Sequence, residues 1–113
     1  MTTPEEDLQH ARQEFFRAAR ALAIGNGTLR ERVKVAYSYI VHLSSMAEGG
    51  LPTDVAEVLK GHSIEIGLQE GPDSKLNKWI DVKSDEGVDK LADQIIRMAF
   101  EVERALTRQE AQQ

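Results

Sequence analysis

The sequence predicts an all-α fold, and three observations predict it. Apolar residues return every three to four positions over long stretches, helix-start signals stand immediately before those stretches, and there is almost no alternation of the kind a half-buried strand shows. The expected architecture is an antiparallel bundle of three long helices, with a shorter third segment and a helical turn, about four helices in all. At 113 residues the chain has the length of one ordinary domain, so residues 1–113 are read as a single helical-bundle domain.

The first helix opens at Thr3-Pro4-Glu5-Glu6. Thr3 stands where a cap is needed, Pro4 suits the first helical position, and Glu6 completes a capping box. Leu8, Ala11, Phe15, Ala19 and Leu22 mark one buried face. Gly25-Asn26-Gly27 then stops the helix, which is expected over about 4–23. Thr28-Leu29-Arg30-Glu31 repeats the capping logic at once, and so short a link makes the first two helices antiparallel neighbours.

In the second helix Leu29, Val33, Ala36, Ile40, Leu43 and Ala47 form a heptad-like seam, with Val35, Tyr37, Tyr39, Val41 and Met46 widening the apolar arc. This helix is expected at the centre of the fold and is ended by Gly49-Gly50. Leu51-Pro52-Thr53-Asp54 starts the third. Val55, Val58, Leu59, Ile64 and Ile66 fit one helix over about 53–66, although Gly61 costs about 1 kcal/mol against Ala. A break at Gly61 followed by an extended His62–Ile66 is the competing reading. Gly67 to Ser74 reads as a loop, and Leu76, Trp79 and Ile80 as a helical turn pinning it to the core. Ser84 caps the last helix, with Asp85 and Glu86 favoured by the dipole in its first turn. Its buried stripe is Val88, Leu91, Ile95, Ala99, Val102 and Leu106, and the tail from Gln109 is expected to fray. Asp93, Arg97, Glu101 and Arg104 form a charge ladder on the opposite face.

Composition narrows the function classes. A hydrophobic fraction of 41%, a charged fraction of 29% and a net charge of −5 suit a globular chain and exclude a disordered acidic tail. No stretch approaches the roughly 18 apolar residues of a membrane span. The absence of cysteine excludes a disulfide scaffold, thiolate zinc sites and cysteine nucleophiles. The start, Met1 to Asp7, is acidic and lacks the features of a secretion signal, so a cytoplasmic location is expected. Charge is uneven: residues 1–56 carry six Lys/Arg against seven Asp/Glu, and residues 57–113 eight against twelve. The negative charge therefore gathers in the second half.

The three histidines, His10, His42 and His62, show no His-x-x-x-His or Glu-x-x-His spacing, so no metal site and no cofactor is expected. Glu65 lies three residues from His62, the one arrangement that suggests a hydrolase or nuclease. Carboxylate pairs at Asp54/Glu57, Asp85/Asp89 and Glu101/Glu103 read as helix starts and solvated faces. Gly25-Asn26-Gly27-Thr28 exposes backbone N–H groups but follows a helix and lacks the Lys-Ser/Thr of a P-loop, so stop and cap account for it.

Two surfaces are candidates for binding. Arg17, Arg20, Arg30 and Lys34 gather where the first two helices meet and could contact phosphate, which makes an accessory nucleic-acid-binding protein the runner-up reading. The alternative for these cations is pairing with Glu31 or with the C-terminal helix. The second surface is apolar: Phe16, Tyr37, Val41, Ile96 and Phe100 flank the buried stripes, and apolar shoulders on bundle helices often become interfaces.

The run Ala23-Ile24-Gly25-Asn26-Gly27-Thr28-Leu29-Arg30-Glu31-Arg32-Val33, with Ala36-Tyr37, His42-Leu43 and Leu51-Pro52, resembles small all-helical bacterial proteins of uncharacterised function. The resemblance implies a helical fold and a bacterial source, and it transfers no active-site residue. The leading expectation is a non-enzymatic protein–protein interaction or oligomerisation module, acting as a homodimer or with a protein partner.

Overall fold

Helix boundaries fall where the capping residues stand. The computed structural model describes residues 4–46, 51–66 and 73–111. Five α-helices occur among these residues: α1 (Pro4–Ile24), α2 (Leu29–Ile40), α3 (Thr53–Ile66), α4 (Asp73–Asp81) and α5 (Asp85–Ala111), with a 3-10 segment at Val41–Met46. No strand occurs among the described residues, and no helix there is long and apolar enough to cross a membrane. The expected Thr3 cap, the Ala47 seam position, the Gly49-Gly50 stop and residues 67–72 of the expected loop lie outside the described residues.

The α1–α2 link shows how local chemistry sets the path. Gly27 has φ +95°, a left-handed conformation, and a Cβ there would run into the Glu31 carboxylate. The next residue, Thr28, is extended, and its Oγ1 accepts the Glu31 N–H at 3.2 Å. At the start of α5, Ser84 Oγ accepts the Gly87 N–H at 3.1 Å while its carbonyl accepts from Val88 at 2.9 Å.

The helix inventory differs from the expected one in the second helix, in the fourth and at the end of the last, and agrees with it in the third. The second helix does not continue in α geometry through the 40s: it changes to 3-10 at Val41, where β-branching and the following Ser44-Ser45 pair weaken the α-helical preference. The third segment is one continuous helix through Gly61, and the extended reading of residues 62–66 is not adopted. An added Cβ at Gly61 would meet nothing within 4 Å, so the residue carries only its propensity penalty. Finally, the expected single turn at Leu76–Ile80 is a nine-residue helix that takes in Asp73 and Ser74, and α5 runs to Ala111, beyond Gln109. Three long helices become two, α1 with 21 residues and α5 with 27.

α1 packs chiefly on α2 and α5, and α3 packs on the 3-10 segment. The core joins Leu8, Ala11, Phe15, Ala18 and Leu22 of α1 to Val33, Ala36 and Ile40 of α2, then to Leu91, Ile95, Met98 and Val102 of α5. Each large apolar side chain so buried contributes about 1.5–3 kcal/mol. Two positions differ from the expected stripes: Ala18 and Met98 are buried, while Ala19 and Ala99 are half-buried beside them. The rest of each stripe is buried as expected, and the two half-buried alanines border the space between α1 and α5.

Helix C-termini leave carbonyls without intrahelical partners, and two arginines of α2 serve them. Arg32 Nη1 donates to the Leu22 carbonyl at 2.6 Å, closing the end of α1. Arg30 Nη1 donates to the Ile80 carbonyl at 2.6 Å, closing the end of α4, and its Nη2 pairs with Asp85 at 3.1 Å. Basic groups placed there also complement the negative end of the helix dipole.

Candidate functional site

Between α1 and α5 the structure forms an apolar groove of about 180 Å³. Arg12, Phe15, Phe16 and Ala19 line one wall, and Ile96, Ala99, Phe100 and Glu103 the other. Both walls carry the same i, i+3, i+4, i+7 spacing, which is how a helix presents one continuous strip. Phe16 is 66% exposed and Phe100 is 63% exposed, while Arg12 Nε donates to Glu103 Oε1 at 2.8 Å across the groove.

Of the five apolar shoulder residues, Phe16, Ile96 and Phe100 meet here. Tyr37 and Val41 do not. Tyr37 is 0% exposed, and Val41 is half-buried against the core. Tyr37 therefore does not belong to an exposed docking face, which corrects the expectation for it, and Val41 lies outside the groove. The physical reason for Tyr37 is a hydrogen-bond partner that its own helix does not contain.

That partner is His62. The Tyr37 hydroxyl meets His62 Nδ1 at 2.5 Å, and the two rings pack with Trp79 at centroid separations of 5.1–5.6 Å. Trp79 Nε1 donates to Glu65 Oε2 at 3.2 Å, and Lys83 Nζ lies 4.1 Å from the Trp79 ring centroid. Four elements thus supply one polar corner: α2, α3, α4 and the α4–α5 link. Burial pushes the Tyr37 phenol well above its ordinary range, with the Glu65 carboxylate adding to the rise. The phenol is therefore neutral, and it donates to Nδ1 when the imidazole carries its proton on Nε2 and accepts when the proton is on Nδ1. Burial lowers the His62 pKa; Glu65 opposes that shift and Lys83 reinforces it. Protonation would make Nδ1 the donor and the phenol oxygen the acceptor, and would place a charge on a buried ring.

His62 also borders an open cleft of about 490 Å³ shared with α5, lined further by Lys83, Lys90, Asp93, Gln94 and Arg97. The cations there are partly committed: Arg97 pairs with Asp93 at 2.7 Å and Lys90 with Glu86 at 3.4 Å. The imidazole could take or give a proton at the cleft, and among the described residues lining it none carries a hydroxyl or thiol.

The basic cluster is distributed differently from its sequence spacing. Arg30 and Lys34 turn to the α4–α5 corner, where they pair with Asp85 and Asp81. Arg17 pairs with Glu14 at 2.8 Å, and Arg20 is exposed. Glu14, only 6% exposed, is a buried carboxylate that no sequence signal singled out beyond its position three residues before Arg17. Asp54, Glu57, Asp85 and Asp89 are all exposed, so neither of those two carboxylate pairs meets the desolvation that acid–base catalysis requires. No family model, curated protein or solved structure matches the chain.

Proposed function

We propose that the protein is a non-enzymatic interaction module that pairs with a second copy of itself across the α1/α5 groove. The observation that carries this reading is the groove, where Phe16 and Phe100 stand mostly exposed beside Ile96 with an Arg12–Glu103 pair on the same face. A contiguous aromatic patch rimmed by charge has the composition of a docking surface. Because the rim carries one charge of each sign, a two-fold arrangement sets the Arg12–Glu103 pair of one copy beside that of the other, with the phenylalanines between them.

An antiparallel bundle is the geometry this reading uses. Arg32 near the start of α2 bonds Leu22 near the end of α1, whereas His42, beyond α2, lies 3.5 Å from His10 near the start of α1. Arg12 likewise pairs with Glu103 toward the end of α5. The cysteine-free composition suits a reducing, cytoplasmic setting. The nucleic-acid reading draws less support, since Arg30 and Lys34 already engage carboxylates and have less charge to offer phosphate.

Sedimentation equilibrium tests the proposal. The wild-type chain is expected to dimerise in the micromolar range, and the double variant Phe16→Ser/Phe100→Ser to sediment as a monomer with unchanged helical circular dichroism. A wild-type monomer throughout that range rejects self-association, as does a double variant that dimerises equally well.

A further inference from the structure

Two histidines that the sequence separates by 32 residues come together on the surface. His10 lies on α1 and His42 in the 3-10 segment, both exposed, with their Nε2 atoms 3.5 Å apart. That separation exceeds the usual range of about 2.7–3.2 Å for hydrogen bonds donated by N–H. It is close to what one metal ion requires. A tetrahedral zinc with Zn–N bonds of about 2.0–2.1 Å holds its nitrogens about 3.3–3.4 Å apart.

We infer that His10 and His42 form a two-imidazole chelate for a borderline divalent ion of the Zn2+, Ni2+ or Cu2+ class. Imidazole nitrogen selects these ions over Mg2+ and Ca2+, which take oxygen ligands. The ring centroids are 5.7 Å apart, a nearly head-on approach. Around a tetrahedral ion they would stand about 5.2 Å apart, given the same bond lengths, and two exposed side chains make that adjustment by rotating about their own bonds. Among the described residues no group of three or more His, Cys, Asp or Glu is placed to hold a metal, so the two imidazoles are the ligands those residues offer. The site is therefore an open chelate that joins α1 to the 3-10 segment and gains its geometry only in the folded chain. Such an ion binds the native state in preference to the unfolded one and raises stability by mass action.

Isothermal titration with ZnCl2 and thermal melts in millimolar ZnCl2 test the inference on the full chain. One ion per chain is expected, with a rise in Tm that EDTA reverses. His10→Ala and His42→Ala should each abolish both effects, and His62→Ala should keep them. MgCl2 should give neither. The inference is overturned if wild type shows no saturable zinc binding, if either single variant binds as tightly as wild type, or if only His62→Ala loses the ion.

Discussion

Along the seam between α1 and α5 the core side chains are aliphatic, Met98 or Phe15, and the buried carboxylate of α1, Glu14, is paired with Arg17, whereas the corner of Tyr37, His62 and Trp79 buries hydrogen-bonding groups among rings. The seam is held by area, which is tolerant of detail so long as volume is kept. The corner depends on partners, and a missing partner leaves a buried polar group unsatisfied. One chain of 113 residues thus uses non-directional and directional cohesion on different sides of the same core.

Removing volume from the seam should have the largest effect. Phe15 is 1% exposed, and Phe15→Ala should lower the unfolding free energy by about 3–5 kcal/mol in urea titrations. A loss near 1 kcal/mol would mean that the seam collapses around the cavity, and that α1 and α5 are held together elsewhere.

A smaller effect separates the corner from the seam. Tyr37→Phe keeps the ring and removes the hydroxyl, so it should cost about 1–3 kcal/mol through the stranded His62 nitrogen. The same corner gives the protein a pH dependence. Folded His62 titrates below its ordinary value of about 6.5, chiefly because it is buried. As pH falls, the unfolded chain takes up the proton first. The contribution is therefore whole above about pH 6.5 and is lost as pH drops through that value toward the folded pKa. Urea midpoints measured from pH 7.5 to pH 5 should fall in wild type and fall less in His62→Gln. Equal slopes would remove His62 as the cause.

The two regions also differ in how far the sequence exposed them. The stripes of α1 and α5 were legible because apolar periodicity is a local property, and one position in each was misplaced, with Ala18 and Met98 inside in place of Ala19 and Ala99. Caps at Thr28 and Ser84 were legible for the same reason. Tyr37 read as an apolar shoulder, because what buries it lies 25 residues away on another helix. His10 and His42 escaped any spacing rule, since their meeting depends on how α1 packs against the chain beyond α2. Within the groove, Phe16, Ile96 and Phe100 were visible as surplus apolar positions, but their convergence required the packing itself.

The smallest expected effect has the opposite sign. Gly61 is exposed on α3 with open space where a Cβ would stand, so Gly61→Ala should stabilise the protein by about 0.5–1 kcal/mol in the same urea assay. Destabilisation instead would show that α3 uses the glycine for a bend or a close approach.

The Arg12–Glu103 pair bears on the order in which the chain assembles. It joins positions 91 residues apart, whereas His10 and His42 are separated by 32. Loop-closure entropy rises only logarithmically with separation, so the longer closure is costlier by only about 0.9 kcal/mol if the intervening chain is still unstructured. Prior docking of α2 and α4 shortens the effective loop further, because Arg30 fastens α2 to the Ile80 carbonyl at the end of α4. The longest helix can thus arrive last at little entropic disadvantage, completing the groove as it docks.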